Sequence, residues 1–140
     1  MKESARIETS IHLLGELETT DQAVDRLLAQ WARDNRYAGS KDRRAVQERV
    51  YLVLRHRGEV RYVLSGETSP RLEVFAALHL FEGWDVDAIS QLADGSEHGP
   101  QELTEDERKC LDNLRAIEDA DAAAKANIPD WTVPLFEQAY

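Results

Sequence analysis

The segment from Pro70 to Phe81 constrains the fold more than any other part of the chain. Its apolar residues Leu72, Val74, Phe75, Leu78, Leu80 and Phe81 are not confined to one stripe, so a helix made from them is apolar nearly all round. Such a helix is stable only as a central, buried element. Pro70 suits its first turn, where a missing N–H costs nothing, and Gly83 is the residue type on which helices stop. The spacing predicts a helix over 70–81 as the most buried element. A short helix from Trp84 to Leu92 follows, with Ile89 and Leu92 inward, before Asp94-Gly95-Ser96 breaks the chain.

Amphipathic segments are available to cover it. Ile7, Ile11, Leu14 and Leu17 recur on one helical face between Ala5 and Leu17. Thr19-Thr20-Asp21-Gln22 offers a capping-box-like start for a second helix, which buries Val24, Leu27, Leu28 and Trp31 and runs towards Asn35. After the break from Asn35 to Gly39, Ser40 is expected to cap a long third helix with Ala45, Val46, Val50, Val53 and Leu54 inward. Gly58, Ser65-Gly66 and Ser69-Pro70 punctuate the middle, where Val60, Val63 and Leu64 extend the helical packing. Thr104 and Glu107 form a capping-box signature for a helix through Cys110, Leu111, Leu114 and Ile117. The alanine-rich run Ala120 to Ala126 carries helix onward, and Ile128-Pro129-Asp130-Trp131 marks a turn before a last apolar segment. No repeat or strand alternation appears, so the fold class expected is all-α, a helical bundle of roughly six to nine elements in one domain over 1–140.

Charge points towards a partner. The chain of 140 residues has a net charge of −10, which opposes nucleic-acid binding by the surface as a whole. Between Trp31 and Tyr62, however, nine cations stand against four carboxylates, a surplus of five that leaves −15 on the remainder. Eight of the nine are arginines, whose planar fork grips phosphate in two places and stacks on bases. The competing expectation is that they pair with acidic helices elsewhere in the fold.

The residues of catalysis are missing from their usual patterns. The seven glycines never form G-x-G, and there is no C-x-x-C or H-E-x-x-H, so neither nucleotide-cofactor nor metal chemistry is encoded by motif. Carboxylate pairs such as Glu16/Glu18 and Glu105/Asp106 read as solvated faces, the four histidines have no catalytic spacing, and Cys110 reads as a structural thiol. No catalytic, cofactor-binding or metal residue is therefore assigned. There is no apolar run of membrane-spanning length and no leader-like start, which makes a cytoplasmic, membrane-free location the expectation.

The stretch Arg36-Tyr37-Ala38-Gly39-Ser40-Lys41-Asp42-Arg43, ahead of a long arginine-bearing helix, resembles the N-terminal region of bacterial RsmB/Sun-type RNA (cytosine-5) methyltransferases. The later Ile128-Pro129-Asp130-Trp131 is similar to that family's approach to its catalytic domain, so the two matches span nearly the whole chain. The resemblance implies a NusB-like helical domain that binds RNA, ribosomal RNA above all, and positions it for a C-terminal methyltransferase domain in cis. That missing domain would hold S-adenosylmethionine; this chain carries no catalytic residue, and Cys110 matches none of the family's cysteines. The apolar pattern of Trp131, Leu135, Phe136 and Tyr140, running to the last residue, fits a neighbouring domain following on.

Arg36, Lys41, Arg43 and Arg44 are the positions the resemblance nominates for RNA phosphate. The alternative for Arg36 and Asp42 is an ion pair fixing the loop between the second and third helices. Tyr37 either stacks on a base or is core with its hydroxyl bonded, whereas Trp31 and Trp84 are expected in the core. A domain that docks on a protein partner instead of RNA is the competing function.

Overall fold

Seven helices and no strand occupy the described residues, 1–66 and 68–117, of the computed structural model. They are α1 (Glu3–Thr19), α2 (Val24–Asp34), α3 (Ser40–Arg55), α4 (Arg57–Val63), α5 (Pro70–Phe81), α6 (Val86–Leu92) and α7 (Glu105–Asp112). The class is all-α, as the periodicities predict. No helix among the described residues is long and apolar enough to cross a membrane.

Helix α5 is the centre. Every residue from Leu72 to Leu78 is buried, and α1, α3, α4, α6 and α7 all pack on it. Ile7 and Leu14 of α1, Val46, Val50 and Val53 of α3, and Val60 of α4 meet it in one continuous core. Burying each such side chain is worth about 1.5–3 kcal/mol, which is why an all-round apolar helix recruits neighbours on every side. Trp31 and Trp84 pack half-buried against that core.

Side-chain caps set three of the helix starts. Ser69 Oγ accepts from Leu72 N at 3.1 Å ahead of Pro70, Asp85 Oδ1 accepts from Ala88 N at 2.7 Å, and Thr104 with Glu107 completes a reciprocal capping box. Other expectations shift. Thr20 does not cap α2; its hydroxyl accepts from Gln22 N in a turn ahead of the helix, which starts after Ala23. Ser40 is the first residue of α3, with Gly39 in the cap position and no side chain capping the helix. Gly58 lies buried inside α4 instead of breaking the chain, and α7 ends at Asp112, leaving Leu114 and Ile117 past its end. The expected helix at Ala120 to Ala126 and the apolar segment after Ile128, Trp131 and Phe136 included, lie outside the described residues.

One carboxylate sits within the core helix. Glu73 on α5 is fully buried and receives Arg57 Nε at 3.2 Å and Arg61 Nε at 3.0 Å from α4, while Arg57 also reaches Glu18 on α1 at 2.6 Å. The two arginines remain partly in water, so their charges are stabilised from both sides, but Glu73 depends on them entirely.

A second cross-link fixes the start of α3. Arg6 of α1 donates through Nε and Nη2 to Asp42 Oδ1 at 2.8 and 2.7 Å, and the Met1 amino group lies 3.1 Å from Oδ2. The hydrogen bond from Arg6, ahead of that from the amino group, holds the Asp42 carboxyl below its usual range.

Two outcomes are expected. Arg57→Met with Arg61→Met strands the buried carboxylate and lowers unfolding stability in urea by about 3–5 kcal/mol, and adding Glu73→Met to that pair restores most of the loss. For Asp42, a folded pKa below the unfolded value near 3.9 means stability that is present above that pH and drains away as pH falls through the folded value. Unfolding free energies measured in steps below about pH 4 should fall more gently in Asp42→Asn than in the parent chain.

Candidate nucleic-acid interface

The basic stretch divides into two parts once folded. At its far end three arginines are neutralised: Arg49 bridges Glu3 at 2.8 Å and Glu82 at 2.9 Å, and Arg57 and Arg61 serve Glu73 and Glu18. Burial alone would weaken the Arg49 cation, yet its bonds to Glu82 and Glu3 raise its pKa above the ordinary arginine value. For these three residues, pairing with acidic helices is the outcome.

The near end behaves differently. Among the described residues Arg36, Lys41, Arg43 and Arg44 form no ion pair with a carboxylate, and Arg36, Lys41 and Arg44 are exposed. Lys41 and Arg44 are three residues apart in the first two turns of α3 and so share a face, with Arg36 on the loop before them. They surround the N-terminus of a 16-residue helix that no side chain caps, where the helix dipole adds positive potential.

Arg43 plays a separate part. Its Nη1 donates to the carbonyl oxygens of Ala38 at 2.6 Å and Arg36 at 3.2 Å, folding the loop back onto α3. Ala38 is buried beneath this clasp, which leaves the chain on either side of it pointing outward. Three of the four nominated residues thus present free cationic heads, while the fourth holds the loop that carries one of them and adds its charge beside them.

The proposed Arg36–Asp42 pair does not form. Asp42 is taken by Arg6, because α1 packs along α3 and brings Arg6 to the inner side of the first turn, whereas Arg36 faces solvent. Nor is Tyr37 a core residue: it is 85% exposed, and its hydroxyl donates to Asn35 Oδ1 at 2.6 Å. Asn35 Nδ2 in turn donates to the Trp31 carbonyl at 2.8 Å, tying the ring to the end of α2. The sequence signal for this arrangement was the Asn35-x-Tyr37 spacing next to a helix end, which is too local and too common to be read unaided.

Exposed cations around an uncapped helix start make a surface that attracts anions. Among the described residues no three His, Cys, Asp or Glu side chains converge as metal ligands would. Cys110, half-buried on α7, directs its thiol towards the Leu64 carbonyl at 3.9 Å.

No family model, no curated protein and no solved structure matches this chain.

Proposed function

We propose that this chain is a non-catalytic RNA-binding domain that positions RNA for chemistry carried out elsewhere. The observation that carries the reading is the set of Arg36, Lys41 and Arg44, none of them paired with a carboxylate among the described residues, around the uncapped start of α3 and backed by Arg43, in a stretch whose Arg49, Arg57 and Arg61 are neutralised by carboxylates. An acidic protein that leaves such a set unpaired has a local field opposite in sign to its net charge, which is what steering a polyanion to one face requires.

The sequence resemblance supplies the finer proposal. In it, the bundle is NusB-like, the RNA is ribosomal, and the chemistry belongs to a (cytosine-5) methyltransferase domain following in cis. S-adenosylmethionine would be held by that domain, and no residue of this chain is assigned to it. A cytoplasmic site of action goes with this reading.

Titration with a labelled single-stranded ribosomal RNA fragment across a salt series tests it. Four phosphate contacts predict a slope of log K against log salt near −3, or roughly fifty-fold weaker binding between 50 and 200 mM. Arg36→Ala with Lys41→Ala and Arg44→Ala, which spares the loop clasp at Arg43, should flatten the slope by about two units while circular dichroism stays unchanged. A parent chain that ignores RNA but binds a methyltransferase domain or another acidic protein through the same residues would replace this reading with protein docking.

A further inference from the structure

Beside the basic loop runs an open groove of about 810 Å³ between the first three turns of α1 and the segment 94–101. Met1, Lys2, His12, Tyr37, His98 and Gln101 are among its walls. Tyr37 therefore belongs to two features at once: the loop that carries Arg36, and the groove. Met1 and Tyr37 are the large apolar side chains exposed among the described residues, and both line it.

The groove is built to hold its shape. Gly99 is buried so close against α1 that a Cβ there would lie 3.2 Å from the Ser4 Cβ, so the 94–101 segment seats on the helix through a position only glycine fits without a shift. The segment closes on itself through Gly95 N to the Pro100 carbonyl at 3.1 Å and Gly99 N to the Ser96 carbonyl at 3.0 Å. Asp94 accepts from Ser96 N at 3.0 Å, and bonding by Ser96 holds the Asp94 carboxyl below its ordinary range. On the opposite wall the Tyr37 ring is held outward by the chain of bonds through Asn35 to the end of α2.

An aromatic ring 85% exposed and yet fixed by hydrogen bonds has lost rotational freedom without gaining burial, which disposes it to meet a flat partner. The groove itself does not suit phosphate, because Glu8 and Glu97 stand in it, each beside a histidine, His12 at 3.9 Å and His98 at 3.4 Å. These side chains, with Gln101, offer donors and acceptors of the kind that read base edges. Backbone charge on one side and a π face with a polar cleft on the other match a single strand, whose bases are free to splay, and not a duplex, whose bases are stacked away.

We infer that Tyr37 is a stacking platform for an unpaired RNA base, which the groove between α1 and the 94–101 segment receives while Arg36, Lys41 and Arg44 hold the adjoining phosphates. This rests on the RNA-binding reading above and adds the strandedness of the ligand and the residue that selects it.

The test uses the full chain with one fluorescein-labelled RNA 12-mer, alone and annealed to its complement, and compares the parent with Tyr37→Ala and Tyr37→Phe. The expected result is that Tyr37→Ala weakens single-strand binding between about five- and a hundred-fold, while leaving the salt slope unchanged because no charge is lost. Tyr37→Phe, which keeps the ring but releases it from Asn35, binds the single strand more weakly than the parent and more tightly than Tyr37→Ala, and the duplex binds more weakly than the single strand and is indifferent to both changes. Equal affinity of Tyr37→Ala and the parent for the single strand, or a duplex bound as tightly, overturns the stacking site and leaves the phosphate-binding reading intact. Absence of RNA binding by the parent chain overturns both.

Discussion

The burial of α5 on all sides is the constraint from which the rest of the architecture follows. A helix with seven consecutive buried residues cannot lie at an edge, and α1, α3, α4, α6 and α7 all pack against it. Glu73 sharpens the constraint. An apolar helix could rotate or slide with little penalty, but a carboxylate inside the core must keep its two arginines, and this ties the register of α5 to that of α4 and, through Glu18, to the end of α1. Stability comes from the apolar surface; the orientation of the helices around it is pinned by a handful of charged bonds.

Much of this was legible because it is local. The all-round apolar pattern of 70–81, the stripes of α1 to α3 and the capping box at Thr104 and Glu107 each depend on residues within a turn or two of one another, and each is realised. What escaped is what depends on distance along the chain. Arg6 and Asp42 are 36 residues apart, and nothing in the sequence around either names the other. The buried state of Glu73 is likewise invisible in a segment that reads as apolar with one charge. The start of α2 differs from the capping-box expectation because Thr20 satisfies a backbone N–H in a turn just as readily as in a helix cap.

The candidate site was half legible for the same reason. Counting charges finds the basic stretch but cannot tell an arginine facing water from one facing a carboxylate, and the fold separates them: Arg49, Arg57 and Arg61 meet carboxylates of other helices, while Arg36, Lys41, Arg43 and Arg44 sit where α2 turns into α3. Arg43 shows a third possibility that composition never reveals, a cation spent on backbone carbonyls to shape the loop. Tyr37 is the residue whose environment departs furthest from expectation, since a ring of its size is ordinarily half-covered or better.

The cross-link at Asp42 between α1 and α3 bears directly on that site. Asp42 occupies the first turn of α3, where a carboxylate would complement the helix dipole and cancel the neighbouring cations. Arg6 and the Met1 amino group claim it from the α1 side, so that its charge is answered there and not by the cations of the basic loop. The Arg6–Asp42 bond, which with Arg49–Glu3 fastens α1 to α3, thus also keeps the Asp42 charge on the α1 side, and the same packing of α1 provides one wall of the groove in which Tyr37 stands. Fold and site are coupled at a single carboxylate: moving α1 away would release Asp42 towards the basic loop and open the groove together.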